Sequence, residues 1–266
     1  MPLRAVLLDM GGVLLEFGNA EGLPMGRHDF RGREALVALL RDREVGRGGS
    51  RPRAAAPSRP ETRIGQDELE ELLFAPWKRD HARRYELGRE ADWHPHLARL
   101  RRRSRRRFSD RRLLATWFAP FAETVAPLPG AVEALRALRM IGVPLALVSN
   151  IPLPRAHYEP LLDRHGMLAP FAVRQFSYEA GSRKPSPAML LAALAALGVS
   201  PAEAIMVGDR RSADIAAGRS AGVRTVWLKS PDAVGPVPDH TIESMAELPA
   251  LVRALAAPVH PGTSRA

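Results

Sequence analysis

The opening run Leu3–Leu8 is apolar apart from Arg4, and it ends at Asp9, with Gly11 and Gly12 just beyond. A continuous apolar stretch this short is the mark of a strand buried on both faces, as in a parallel sheet, and it delivers a carboxylate to a turn at its carboxyl end. Comparable runs recur at Pro144–Val148, Ala204–Val207 and Val223–Leu228, with a weaker one at Phe171–Ser177, and each lies beyond a helical pattern. Strands alternating with helices predict an α/β fold around a parallel sheet.

The helices carry their own punctuation. Pro129 and Gly130 open Ala131–Met140 and Gly142 closes it, Pro185 and Pro187 precede Ala188–Leu197, which stops at Gly198, and Arg211–Ala221 stops at Gly222. Proline suits the first helical turn and glycine the residue just past the last. Ser244 with Glu247 three residues on has capping-box spacing. Between Glu16 and Val125 strand-like alternation disappears, and helices are expected at Gly32–Arg43, Gln66–Tyr85, Ala91–Arg103 and Asp110–Thr124. Ser109 or Asp110 is the N-cap of the last, whose Leu113, Leu114, Trp117, Phe118 and Phe121 share a packing face. The expected organisation is a discontinuous core of residues 1–16 and 125–258, a helical insertion over 17–124 with a flexible Gly/Pro-rich loop around 44–63, and a disordered tail at 259–266.

Composition narrows the chemistry. With no cysteine among 266 residues, disulfides, thiolate metal sites and a cysteine nucleophile are excluded. The apolar start is too short for a signal peptide or membrane span, so a cytoplasmic protein without a membrane partner is expected. A net charge of +10 invites a nucleic-acid partner, but the positive charge is nearly all arginine, with lysine only at Lys78, Lys184 and Lys229. That arginine, alanine, glycine and proline profile is the one a GC-rich coding bias gives, and no recognition helix with interleaved aromatics accompanies it. The six arginines of Arg101–Arg107 read as a solvated helix end, and His94–Pro95–His96 as surface in place of a metal site.

Four strand-end features carry chemistry when taken together. Asp9 sits where open α/β sheets bind ligands, and Gly11–Gly12 lets backbone N–H groups approach an anion. Ser149 and Asn150 end another apolar run as neutral donors for phosphate oxygens, and Lys184 precedes Pro185 at a helix start, where ammonium and helix dipole would face the same anion. Asp209 ends the run Ile205–Val207–Gly208 and Asp214 follows five residues later, so the two carboxylates can share a hard cation, for which magnesium is the usual choice. A nucleophilic carboxylate, neutral donors, one ammonium and a metal pair are what phosphoryl transfer requires, since it depends on positioning and charge neutralisation.

The stretches LLDMGGVL, LVSN, RKPSP and MVGDRRSAD resemble, in order, the four signature motifs of the haloacid dehalogenase superfamily. The resemblance implies a Rossmann-like core, with the helical insertion as a C1 cap that selects substrate. It further implies that Asp9 attacks phosphorus to form an aspartyl-phosphate. Mg²⁺ would be held by Asp9, the Gly11 carbonyl and Asp209, with Asp214 as a further or water-mediated ligand. Ser149 would bind the phosphoryl group of a small phosphorylated substrate, and Lys184 would offset its charge.

Most phosphatases of that superfamily have a second Asp two residues after the nucleophile, where this chain has Gly11. General acid–base help is worth about 10²–10⁴-fold, so the departure leaves several readings open. The preferred one is a phosphatase acting on a good leaving group or drawing its proton from water or the cap. The others are a phosphonatase-like C–P hydrolase with Lys78 as Schiff base, a dehalogenase, against which Asp209 and Asp214 count, and a weakly active or non-catalytic binding protein with an Arg-rich cap.

Overall fold

The computed structural model of the protein describes residues 1–19, 22–41, 64–105 and 107–257. The loop expected around 44–63 and the tail at 259–266 lie outside the described residues, as does one arginine of the 101–107 run. The strands are β1 (Ala5–Leu8), β2 (Leu15–Glu16), β3 (Ala126–Pro127), β4 (Leu145–Ser149), β5 (Phe171–Phe176), β6 (Ala204–Gly208), β7 (Arg224–Leu228) and β8 (His240–Ile242). Six of them form one sheet in the order β5-β4-β1-β6-β7-β8, every neighbouring pair parallel, while β2 and β3 make a short antiparallel pair. All residues of β1, β4 and β6 are buried, which is why these strands read as unbroken apolar runs.

This order creates the place where a site can form. From β1 the chain goes to β4 and β5 on one side, then crosses to β6, β7 and β8 on the other. Connections that leave neighbouring strands in opposite directions open a crevice at their carboxyl ends, here those of β1 and β6. Leu8 is level with Leu147 on β4 and Val207 on β6, so Asp9, Ser149 and Asp209 emerge within about one residue of a common height. One face of the sheet is covered by the helices Ala188–Leu197 and Ala216–Ala221, where Leu190, Leu194 and Ala217 pack on Leu7, Val148 and Met206. Truncating a wholly buried residue such as Leu190 to Ala costs about 2–5 kcal/mol.

The chain divides into two compact units. Met1–Leu23, Arg84–Glu90 and Thr124–Ala266 form the first, which holds the sheet, and Pro24–Arg83 with Ala91–Glu123 form the second. The second is helical, with helices at Arg27–Arg41, His94–Ser104 and Asp110–Ala122 and a continuous helical stretch from Gln66 that includes a wider turn at Glu70–Phe74. Ser109 caps Asp110–Ala122 by accepting from the Arg112 N–H at 3.2 Å. The first helix starts at Arg27, five residues before the sequence signal at Gly32. Gly32 is not a boundary but a close-packing position, because a Cβ there would lie 2.3 Å from the Trp117 carbonyl oxygen. The core of this unit is aromatic: Trp77 stacks on Trp93 at 4.1 Å, and Trp117 lies 5.3 Å from Trp93 and 5.0 Å from Phe74. Among the described residues, no helix is long and apolar enough to cross a membrane.

Candidate active site

Asp9 leaves β1 as its backbone N–H donates to the Val207 carbonyl at 3.0 Å, which fixes the start of the turn against β6. The turn then needs glycine at position 12 on two counts. Gly12 has φ +70°, and a Cβ there would fall 2.2 Å from a carboxylate oxygen of Asp209. The Gly12 N–H donates to the Leu15 carbonyl at 2.9 Å, so it closes the turn instead of offering itself to an anion, as the Gly11–Gly12 pair suggested. At Gly11 the space for a side chain is filled by the ring of Phe17, 2.8 Å from where a Cβ would stand. Phe17 in turn lies edge-on against the fully buried Tyr158, with centroids 6.2 Å apart. The absent second acid therefore leaves no empty slot: hydrocarbon occupies it.

Asp209 and Asp214 reach the same point from the end of β6. One carboxylate oxygen of each of Asp9, Asp209 and Asp214 lies within 4.8 Å of the others. The Asp209 loop is anchored from β7 and beyond, where the Trp227 indole N–H and the Ser230 hydroxyl donate to the Asp209 carbonyl at 2.8 and 2.7 Å. Trp227 thus orients the loop. Both oxygens of Asp214 are engaged, Oδ2 by the Arg210 N–H at 2.9 Å and Oδ1 by Lys184 Nζ at 2.6 Å. Asp209 Oδ1, in contrast, is buried with neither a hydrogen bond nor an ion pair to Lys184.

Lys184 enters from the opposite side, buried, with its ammonium 2.9 Å from Asp9 Oδ1 and donating to the Val148 carbonyl at 2.8 Å. The helix that follows it begins only at Ala188, so side chains and not the first turn of that helix steer the ammonium. Asn150 spends its amide on this loop: Nδ2 donates to the Lys184 carbonyl at 2.9 Å and Oδ1 accepts from the Lys184 N–H at 2.8 Å. The side chain read as a phosphate donor is a clamp on the lysine. Ser149, buried at the end of β4, stays with the strand.

The electrostatics follow from this count. Three carboxylates face one ammonium, so three negative charges less one positive leave an excess of two if all ionise. Burial, then Asp214 and Asp9, push the Asp209 carboxyl up to about 8, against a smaller opposing pull from Lys184. Burial likewise raises Asp214, with Lys184 opposing. Burial works against the charge on Lys184, but Asp214 and then Asp9 overcome it and raise its pKa. An unpartnered carboxylate oxygen, a glycine slot that any side chain would fill and a surplus of anionic oxygens together fit a hard divalent cation such as Mg²⁺.

A family model for haloacid dehalogenase-like hydrolases matches residues 3–222. The chain belongs to that family. Among similar curated proteins, a phosphoserine phosphatase of Thermus thermophilus is 40% identical over 100 residues, covering 38% of this chain and 39% of the relative. A probable phosphoglycolate phosphatase of Pseudomonas putida is 35% identical over 116 residues, 42% of this chain and 43% of the relative. A glyceraldehyde 3-phosphate phosphatase of Methanopyrus kandleri is 35% identical over 137 residues, 49% of this chain and 58% of the relative. The chain thus spans between 39% and 58% of the length of these relatives. The solved structure of a phosphatase from Thermococcus onnurineus superposes with TM-score 0.59 at 21% identity, covering 94% of this chain and 98% of its own. A 2-haloacid dehalogenase from Pseudomonas syringae does so equally well, with TM-score 0.59 at 22% identity, covering 96% of this chain and 100% of its own. The fold is therefore shared by more than one chemistry in the family, and the side chains must discriminate.

Other side chains of the sheet unit shape this site without leaving a sequence signal. Phe17, Glu90, Ser177 and Arg183 are the main ones, and only Arg183, beside Lys184, had a neighbour that drew attention to it. Of the two histidines read as surface, His94 is exposed and contacts Asp110 at 2.7 Å, whereas His96 is buried and lies 3.8 Å from Asp80; among the described residues neither belongs to a group of three metal-ligating side chains. Within the arginine run, Arg101 pairs with Asp110 and Arg103 with Glu68.

Proposed function

We propose that the protein is a Mg²⁺-dependent phosphomonoester hydrolase in which Asp9 is the nucleophile. The observation that carries this reading is the meeting of Asp9, Asp209 and Asp214 around the buried ammonium of Lys184, on loops from β1, β6 and the segment after β5. A dehalogenating carboxylate needs no cation, whereas acids placed to hold one suit a dianionic substrate whose negative charge must be offset. Three relatives named as phosphatases of phosphoserine, phosphoglycolate and glyceraldehyde 3-phosphate support a small phosphorylated substrate here.

In this mechanism Lys184 holds Asp9 by its Oδ1 and leaves the other carboxylate oxygen to attack phosphorus. A bond forms from Asp9 to phosphorus as the bond to the leaving oxygen breaks, and that oxygen takes a proton from water. Water then attacks the aspartyl-phosphate, releasing phosphate and restoring the Asp9 carboxylate. Bound Mg²⁺, held by Asp9, Asp209 and the Gly11 carbonyl, would neutralise the phosphoryl oxygens and the acid cluster. Asp214, with both oxygens engaged, acts by holding Lys184 and through water, and Ser149 binds the phosphoryl group. Asn150 keeps Lys184 in place. The helical unit is the cap that selects substrate, and no side chain in it is assigned a catalytic role.

Lys78, the amine that the C–P hydrolase reading requires, is exposed and ion-paired with Glu70 at 3.4 Å, which counts against that reading. The binding-protein reading is weakened by the pairing of Arg101 and Arg103 with acids of their own unit. A panel of phosphomonoesters assayed with Mg²⁺ and with a chelator tests the proposal. Turnover is expected only with the metal and is lost in Asp9→Asn; activity that survives both changes refutes it.

A further inference from the structure

We propose that Glu90, which the chemistry does not touch, is the positioning residue that keeps Lys184 in the acid cluster; the proposal rests on the phosphatase reading above. Glu90 lies at the end of Arg84–Glu90, a stretch that belongs to the sheet unit although the chain on either side of it belongs to the helical one. It is buried, and each of its carboxylate oxygens is used. Oε1 accepts from the Ser177 hydroxyl at 2.7 Å, and Oε2 lies 3.3 Å from Nη1 of the buried Arg183. The Ser177 oxygen accepts from the Ile151 N–H at 2.8 Å. One carboxylate therefore braces the residue directly after Asn150 and the residue directly before Lys184.

The rest of the segment adds to the brace. The Arg183 N–H donates to the Gly88 carbonyl at 3.0 Å, and the Arg183 guanidinium lies 3.8 Å over the Tyr85 ring. Tyr85 also hydrogen-bonds Arg210, the residue after Asp209. Asn150 and Lys184 are clamped to each other through the Asn150 amide, so the two arms from Glu90 grip a pair already joined. A buried carboxylate and guanidinium are costly unless fully paired, and losing one partner strands the other. That cost is unnecessary for packing alone, since an apolar pair would fill the same space. It is accounted for if the pair fixes the backbone of a catalytic lysine, because small displacements of such a group are expensive in rate.

Lysine labelling reads this independently of activity. The chain has three lysines, of which Lys78 and Lys229 are exposed and serve as internal references, while Lys184 is buried. The full-length protein is treated with an amine-acylating reagent, and modification at each lysine is followed by mass spectrometry, with thermal melting confirming that each variant is folded. In wild type Lys184 is protected. Glu90→Gln, which cannot accept from both partners at once, is expected to raise Lys184 labelling roughly tenfold through local opening, with Lys78 and Lys229 unchanged. Ser177→Ala, which removes one arm and is the milder test should Glu90→Gln not fold, raises it less, and Glu90→Asp restores part of the protection. With p-nitrophenyl phosphate as probe, kcat of Glu90→Gln falls roughly tenfold or more and inorganic phosphate inhibits more weakly, and Glu90→Asp recovers part of both. Protection of Lys184 as in wild type in both Glu90→Gln and Ser177→Ala overturns the inference. Turnover that survives Asp9→Asn would instead overturn the phosphatase reading, and leaves the labelling result to stand by itself.

Discussion

In the helical unit arginine outnumbers acid and the ion pairs lie mostly at partly exposed positions, whereas at the carboxyl ends of β1 and β6 three carboxylates crowd around one buried lysine. Arg33 pairs with Asp29 and Glu70, Arg103 with Glu68 and Arg31 with Glu123, mostly at partly exposed positions. Such pairs are worth about 0–1 kcal/mol each, and the stability of that unit comes instead from the Trp77, Trp93 and Trp117 stack. In the sheet unit the opposite holds. The charges are buried and do not balance, and the fold retains them at a cost in stability. Net charge spread over exposed arginines marks no site by itself. Unbalanced buried charge is the better guide.

The largest effect expected from breaking this contrast is at Lys184. Lys184→Met removes the only ammonium held among the three carboxylates, and turnover should fall by roughly 10²–10³-fold or more. Unfolding by denaturant should show a loss of about 3–5 kcal/mol. The matched change in the helical unit, Arg31→Ala, should cost less than about 0.5 kcal/mol and leave turnover alone. Equal costs at the two sites would show that the cluster is not under charge strain.

A smaller effect sharpens the comparison within the site itself, between the charged side of Asp9 and the apolar side at Gly11. Gly11→Asp alone should not improve turnover, since the new side chain meets Phe17. Combined with Phe17→Ala, it should raise kcat/KM on an alkyl phosphate by roughly tenfold or more, and raise it less on p-nitrophenyl phosphate, whose leaving group needs no proton. An improvement from the single substitution would mean that Phe17 yields easily. No improvement from the pair would mean that another group already supplies the proton.

The strands that carry the site were readable because burial on both faces leaves no polar residue to obscure them, as in β1, β4 and β6. The edge strand His240–Ile242 and the two-residue strands β2 and β3 were not, being too short or too mixed to show a period. Asp9, Lys184, Asp209 and Asp214 were legible from their places next to strand ends, glycine and proline. Their partners were not. Asn150 looked like a phosphate donor until its amide was seen clamping Lys184, and Gly12 like an anion cradle until its N–H was seen closing a turn. Glu90 meets Ser177 and Arg183 across 87 and 93 residues of chain, separations over which spacing carries no information. Phe17 is one more aromatic until the fold sets it over Gly11.

If the surplus of carboxylates exists to hold a divalent cation, calorimetric titration with Mg²⁺ reads that binding without turnover. Burial and its acidic neighbours keep the Asp209 carboxyl protonated up to about 8, and the proton must leave for the oxygen to bind metal. Affinity should therefore be greater at about pH 9 than at about pH 6, with proton release on binding at the lower pH, and both affinity and its pH dependence should vanish in Asp209→Asn. Binding as tight in Asp209→Asn as in wild type, or none at either pH, would show that these carboxylates do not hold a divalent cation.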